Sequence, residues 1–315
     1  MIMDNEKTVL VTGGGGFLGS VLIPLLLRNG LKVKVIDRFF FGKNTIESEN
    51  KNLEIIEDDI RWYSKDILKG VNVVIDLASL SNDPAGELDP KRTLDINYRA
   101  RVRTCEFAKE LGVSQYILAS SCSVYGFQDD IVDETAIPVP ITTYAEASFL
   151  AEKGVLALKD KNFSVTALRQ GTLYGLSPRM RFDLVVNTMT LSLFKNKLIT
   201  IRGGDQWRPL VHVADSAKAF ISIIEAQKEK VNGEIFNVGS TLHNFKISDL
   251  AERILKATNK IGNIVHDKTE TDTRSYQVNC DKILKLIGFA PEKSPEDGAK
   301  EVMEALESGK VTDNI

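Results

Sequence analysis

Three cysteines in 315 residues, Cys105, Cys122 and Cys280, are too few, too scattered and odd in number to form a disulfide framework. None stands at metal-ligand spacing, so no metal site is implied and a reducing compartment is. The chain also lacks an apolar run of the ~20 residues that a bilayer crossing needs. Its most apolar stretch, Phe17 to Leu27, is shorter and is broken by Gly19, Ser20 and Pro24. A first strand that begins almost at once leaves no room for a cleavable leader. The expectation is a cytoplasmic protein with no membrane partner. Neither sign of charge is in excess, with 40 Lys and Arg against 43 Asp and Glu. The densest basic stretch, Arg99, Arg101 and Arg103, alternates within a helical pattern and reads as a solvated face, so no nucleic-acid partner is implied. Internal repeats and low-complexity linkers are missing as well.

Glycine, by contrast, is concentrated near the start. In Lys7 to Leu25, KTVLVTGGGGFLGSVLIPL, a short apolar run meets four consecutive glycines and passes directly into an amphipathic run. That pattern reads as strand, tight turn and helix. A turn without Cβ atoms lets backbone amides approach a phosphate closely, and the following helix offers unpaired N–H groups and the positive end of its dipole. Gly14, Gly16 and Gly19 satisfy G-x-G-x-x-G, Gly13, Gly16 and Gly19 satisfy G-x-x-G-x-x-G, and spacing does not choose between them. The next apolar run, Leu31 to Ile36, ends on Asp37, eighteen residues after Gly19. A carboxylate there accepts hydrogen bonds from both hydroxyls of an adenosine ribose and repels a 2′-phosphate, which favours NAD over NADP. Arg38 adjoins it and could in principle soften that preference, but Asp37 occupies the discriminating position.

Strand and helix patterns then alternate, the mark of a doubly wound α/β fold with a parallel sheet covered on both faces. Strands are expected at Leu53 to Glu57, Val71 to Leu77, Gln115 to Ala119 and Ser164 to Leu168, with a long helix from Leu88 to Leu111. Asn97 lies among apolar neighbours in that helix, where a buried amide needs partners; the simplest reading is an amide satisfied by a neighbouring loop. Thr143 with Glu146 fits a capping box and puts Tyr144 in the first turn of the next helix. Beyond Gly175 the regular alternation fades.

Taken together, T-G-G-G-G-F-L-G (Thr12 to Gly19), Asp37, Asp59-Ile60, L-A-S (Leu77 to Ser79), Asn97, S-S-C-S-V-Y-G (Ser120 to Gly126), Tyr144, R-Q-G-T-L-Y-G (Arg169 to Gly175) and W-R-P-L-V-H-V (Trp207 to Val213) resemble the extended short-chain dehydrogenase/reductase family, in its nucleotide-sugar epimerase/dehydratase branch. The resemblance implies a Rossmann-type NAD-binding domain, residues 1–170 plus about 209–240. It also implies a smaller α/β nucleotide-sugar-binding domain, about 171–208 plus 241–315. By it, Gly13, Gly16, Phe17 and Leu18 would hold the pyrophosphate, Asp37 the ribose, and Asp59 and Ile60 the adenine. Leu77, Ala78, Asn97 and Tyr144 would line the nicotinamide side. Ser121 and Tyr144 match the family's catalytic hydroxyl and tyrosine base. Ser79, Ser121, Cys122, Ser123, Arg179, Asn187, Arg208 and Arg274, the last in D-T-R-S-Y (Asp272 to Tyr276), fall on the substrate side. The segment Ser177 to Asn187 is also similar to a sub-branch with heptose-nucleotide 4-dehydrogenases. Members commonly form homodimers through the helices assigned here to Leu88 to Leu111 and Thr143 to Leu158.

One departure stands out. The family's Tyr-x-x-x-Lys reads Tyr144-Ala145-Glu146-Ala147-Ser148 here. Position 148 is ~40° round the helix from Tyr144 and one turn along, on the same face. Serine there would still hydrogen-bond a nicotinamide ribose but supplies no charge, and Lys153, ~13.5 Å along the helix, is too far to substitute. The resemblance implies an NAD-dependent enzyme that oxidises the C4 hydroxyl of a nucleotide-diphosphate sugar, as an epimerase or a 4-dehydrogenase. A 4,6-dehydratase is disfavoured because Cys122 and Ser123 replace that reaction's Asp-Glu pair. A protein that binds NAD and sugar nucleotide with impaired catalysis is the other alternative.

Overall fold

The structure is a computed structural model that describes residues 7–46, 49–267 and 274–312. Seven parallel strands form its main sheet, in the spatial order Ile235–Val238, Ser164–Gln170, Gln115–Ser121, Val73–Asp76, Thr8–Thr12, Lys32–Asp37 and Leu53–Glu57. The chain starts in the interior of the sheet, builds outward to one edge, then returns to build the other. The order therefore reverses between Thr8–Thr12 and Val73–Asp76, and at such a reversal the crevice outside the strands' carboxyl ends receives ligands.

Side chains that alternate along each strand divide the apolar residues between two cores. Val9 and Val11 pack on one face with Leu22 and Ile23 of the helix Gly19–Arg28 and Phe220 and Ile223 of the helix Val213–Glu225. Leu10 and Val74 point the other way, onto Ala108 of the helix Arg101–Glu110 and Ala151 and Val155 of the helix Thr143–Leu156. A third core lies outside the main sheet. It gathers Val186, Met189 and Leu193 from the helix Val185–Asn196, Leu250 and Ile254 from Ile247–Ala257, and Val302's neighbour Met303 from Pro295–Glu307. Among the described residues two small sheets accompany it, Asn244–Lys246 with Trp207–His212 and Thr172–Tyr174, and Leu198–Arg202 with Asn263–Asp267, while Phe127–Val132 with Ser275–Val278 borders a further core of Val124, Tyr125, Tyr276 and Val278. No helix among the described residues is long and apolar enough to cross a membrane.

Two local expectations change. The helix expected from Leu88 to Leu111 is three successive segments, Pro90–Leu94, a wider π turn at Asp95–Ala100, and Arg101–Glu110. The capping box also shifts by one residue. Thr142, in extended backbone, is the N-cap and accepts from the Ala145 N–H at 3.2 Å. Thr143 is drawn off by Glu87, which accepts from both its N–H at 2.6 Å and its hydroxyl at 3.0 Å.

Glu301 joins the last helix to the small sheet that contains Trp207–His212 and Thr172–Tyr174. Its Oε1 lies 2.5 Å from His212 Nε2 and accepts from the Leu176 N–H at 2.7 Å, while Oε2 accepts from Lys293 Nζ at 2.6 Å. Burial pushes this carboxyl up, but the His212, Lys293 and Leu176 donors outweigh it and hold it at about 2 against an ordinary 4.5. A carboxyl depressed by folding stabilises above its unfolded value and loses that contribution as pH falls through the folded one. The contribution, on the order of 3 kcal/mol, is therefore expected to disappear between pH 4.5 and pH 2. Urea denaturation across that range should show Glu301→Gln less stable at neutral pH and with a flatter acid limb than the parent.

Candidate functional site

One cavity of about 980 Å³ opens along the carboxyl edge of the main sheet, at the upper end of the usual size for a ligand site. Asp37 and Asp59 wall one side, and Arg208, Arg274 and Tyr276 wall the other. Between them the glycine turn passes close to the next strand. Gly13 has φ +68°, and a Cβ there would fall 2.7 Å from the Ala78 backbone. Only glycine fits that approach, and Gly14 is closed as well, since a Cβ there would fall 2.5 Å from Val35, so both spacings open in the sequence are held by the packing. Gly16, Phe17 and Leu18 share the wall, and the helix from Gly19 directs its N-terminal end there.

Asp37 is fixed by two backbone donors, the Gly15 N–H at 2.9 Å and the Phe39 N–H at 2.7 Å, with its carboxylate on the cavity wall. Arg38 does not compete with it. Its guanidinium turns to Asp59 at 2.9 Å and stacks on the Phe40 ring. Arg61 grips the same Asp59 carboxylate through Nε at 3.1 Å and a terminal nitrogen at 2.7 Å, and it is chiefly this pair that holds the Asp59 carboxyl at about 2. Ile60 lies beside it on the wall, and Leu77, Ala78 and Ser79 line the middle of the cavity.

Ser121 ends the strand Gln115–Ser121 and caps the short turn Cys122–Tyr125, accepting from the Ser123 N–H at 3.1 Å. Its own proton is thereby left to point elsewhere. Tyr144 faces it from the first turn of Thr143–Leu156, and both are on the cavity wall with Ser123. Burial raises the Tyr144 phenol above its ordinary value and the Asp83 carboxylate raises it further; the Ser121 hydroxyl, Arg101 and Arg181 pull the other way without prevailing.

Four expected site residues lie off the wall. Ser148 is buried and its hydroxyl donates to the Tyr144 carbonyl at 2.9 Å, one turn back along the helix. Cys122 is buried, its thiol donating to the Arg169 carbonyl at 3.3 Å and pushed up by burial. Asn187 is consumed by the Gly175 N–H at 3.0 Å and the Arg181 carbonyl at 3.0 Å. Asn97, inside the π turn, exchanges two hydrogen bonds with the Leu80 backbone, at 2.8 and 3.0 Å, and so secures the loop that carries Ala78 and Ser79. Arg179 does reach the cavity, where its guanidinium lies over the Phe41 ring.

Several wall residues went unnoticed in the sequence. Arg181 donates to the Ser81 hydroxyl at 3.0 Å and to Asp183, while Asp183 accepts from Asn82 Nδ2 at 2.9 Å, bridging the cavity mouth. Gln170 stands in register with Ser121 on the neighbouring strand and accepts from the Ser216 hydroxyl at 2.7 Å. Asp83 starts the helix Asp83–Leu88; S-N-D-P at an N-cap was the available signal. Among the described residues no group of His, Cys, Asp and Glu could hold a metal ion. Asp272 and Thr273 of the D-T-R-S-Y motif lie outside the described residues.

The chain is similar to known proteins over nearly its whole length. The chain is 27% identical over 319 residues to a UDP-N-acetyl-alpha-D-glucosaminuronate decarboxylase of Bacillus cytotoxicus, covering 95% of this chain and 97% of that one. It is 27% identical to a putative UDP-glucose 4-epimerase of Methanocaldococcus jannaschii, covering 96% and 100%. Among solved structures, MoeE5 in complex with UDP-glucuronic acid and NAD superposes with a TM-score of 0.86 at 26% identity, over 96% of this chain and 100% of that one. A glycine turn pressed on a neighbouring strand, a carboxylate at the end of the next strand and a serine facing a tyrosine thus occur here along one sheet edge. The profile of the NAD dependent epimerase/dehydratase family matches residues 9–239, and the chain belongs to that family.

Proposed function

We propose that this protein is an NAD-dependent nucleotide-sugar enzyme that oxidises the sugar's C4 hydroxyl, as an epimerase or a 4-dehydrogenase. The observation that carries the reading is the meeting of Ser121 and Tyr144 on the wall of one cavity, between the Gly13–Ala78 cradle and the arginines Arg208 and Arg274. The turn suits a dinucleotide, since Gly13, Gly15 and Gly16 bring side-chain-free backbone to the cavity wall beside the N-terminal end of the helix from Gly19, and Asp37 presents its carboxylate on the same wall. Gly13, Gly16, Phe17 and Leu18 would hold the pyrophosphate, Asp37 the adenosine ribose, and Asp59 and Ile60 the adenine. Bound NAD supplies the hydride acceptor. Arg208 and Arg274 would take the diphosphate, as charge-assisted donors to phosphate oxygens.

Tyr144 Oη takes the proton of the sugar hydroxyl, and Ser121 Oγ, which accepts from the Ser123 N–H and keeps its own proton free to donate, donates to the same oxygen. The raised phenol makes proton removal the slow part at neutral pH. With Cys122 buried and inert and only a hydroxyl at Ser123, elimination of water finds no carboxylate at those two positions. A reading with impaired catalysis is supported by one observation, the Ser148 hydroxyl turned back to its own helix.

We also propose two domains, residues 1–170 plus about 209–240 for NAD and about 171–208 plus 241–315 for the nucleotide sugar; the separate core around Met189 and Leu250 supports that division. Cytoplasmic location and homodimer formation complete the reading. Purified protein incubated with NAD and UDP-, dTDP- and GDP-sugars, followed at 340 nm and by product stereochemistry and mass, tests it. An epimer or a released 4-keto sugar is the expected product. Loss of water, or tight binding without turnover at any pH, would overturn it.

A further inference from the structure

Asp83 is the first residue of a short helix that lies directly against the tyrosine: a Cβ on Gly86 would stand 3.2 Å from Tyr144 Cβ. Its carboxylate is on the cavity wall and divides its two oxygens. Oδ1 accepts from the Thr142 hydroxyl at 2.5 Å, and Thr142 is the N-cap of the helix that carries Tyr144. Oδ2 pairs with the Arg274 guanidinium, 191 residues away in sequence. The Arg274 carbonyl in turn accepts from Arg208 at 2.6 Å, so the two arginines of the cavity are joined through backbone. One carboxylate thus connects the arginine pair to the cap of the catalytic helix.

A carboxylate and a diphosphate present the same kind of oxygen pair to a guanidinium fork. We propose that Asp83 is a positioning residue that competes with the substrate's diphosphate for Arg274, an inference that rests on the reading of Arg274 as a diphosphate ligand. Nucleotide arrival draws the guanidinium toward phosphate and loosens the tie from Arg274 to the Asp83–Leu88 helix. The Thr142 bond keeps the carboxylate beside the tyrosine. Nucleotide affinity is accordingly held below what the two arginines alone would give.

Calorimetric titration with UDP alone tests this, with no turnover involved. Asp83→Asn retains an acceptor for Thr142 and removes the charge, and it is expected to bind UDP about two- to tenfold more tightly, the range of a partly exposed ion pair. Asp83→Ser, a second neutral variant suited to a helix start, should change affinity in the same direction and guards against an effect peculiar to asparagine. Thr142→Val, which keeps the carboxylate, should show no such gain. Arg274→Gln should bind UDP at least about tenfold more weakly, and Asp83→Asn combined with Arg274→Gln should match Arg274→Gln alone. Unaltered affinity in Arg274→Gln would overturn the role of Arg274 itself. Weakened affinity there, together with unchanged or weaker binding in both neutral Asp83 variants, would overturn the competition and leave the diphosphate role standing.

Discussion

Replacing Ser148 by lysine is expected to raise turnover at neutral pH by at least about tenfold and by as much as about a thousandfold. In the parent, burial and Asp83 both favour the protonated phenol of Tyr144, and the nearby cations are committed elsewhere. Arg101 is bound to Asp76, and Arg181 to Ser81 and Asp183. A proton-abstracting tyrosine with a raised pKa gives a rate that climbs as pH rises and reaches no plateau in the neutral range. A cation ~4 Å from the phenol at an effective dielectric of ~20 favours the phenolate by ~4 kcal/mol, about three pK units, and lysine's own burial reduces that gain. The pH profile of kcat should therefore move to lower pH in Ser148→Lys. Ser148→Met, with an unbranched side chain and no charge, separates packing from electrostatics, since position 148 is buried and any longer side chain must find space. Identical profiles in parent and lysine variant would refute the role given to Tyr144.

The parts of the site that were legible in the sequence are those fixed by neighbours along the chain. A strand, a Cβ-free turn and a helix occupy consecutive residues, so the Gly13 cradle shows itself by local composition. Asp37 is located by the end of the next strand, and Ser121 and Tyr144 by a strand end and a helix start. Residues whose partners are remote in sequence were misread or missed. Arg101 was taken for a solvated charge because a helical face of alternating arginines ordinarily is one; the structure buries it to 1% exposure against Asp76, which lies on another element. Thr142 displaced Thr143 as the cap because Glu87, on the adjoining helix Asp83–Leu88, took up Thr143. Asn97 was placed in a regular helix, but its two bonds to Leu80 sit within a π turn, and such turns leave no mark in hydrophobic period. Asp83 and Arg274 are too far apart in sequence for either to announce the other.

Arg101→Met is expected to cost about 3–5 kcal/mol of stability, because it strips a fully buried carboxylate of its counter-charge. Asp76 is inaccessible to water and is surrounded by donors: Thr12 Oγ1 at 2.5 Å, Arg101 Nε at 3.1 Å and the Tyr116 hydroxyl. Arg101 also donates to the carbonyls of Asp76 at 2.8 Å and Ala119 at 2.7 Å, which join two neighbouring strands just below the cavity. Methionine fills much of the volume and satisfies none of these groups, and at ~2–4 °C per kcal/mol the midpoint should fall by roughly 10 °C. The damage reaches function through Thr12, whose hydroxyl also accepts from the Ala78 N–H at 3.2 Å, so the strand end that faces Gly13 loses its anchor and NAD affinity should fall with stability. Asp76→Asn in the same background removes the stranded charge and should recover more than half of the lost stability, the opposite of what two independent lesions would do. Urea denaturation of the two single variants and the double, with NAD titrations of each, measures that coupling. A loss below about 1 kcal/mol in Arg101→Met, or simple additivity in the double variant, would mean that the pair does not hold this end of the sheet together.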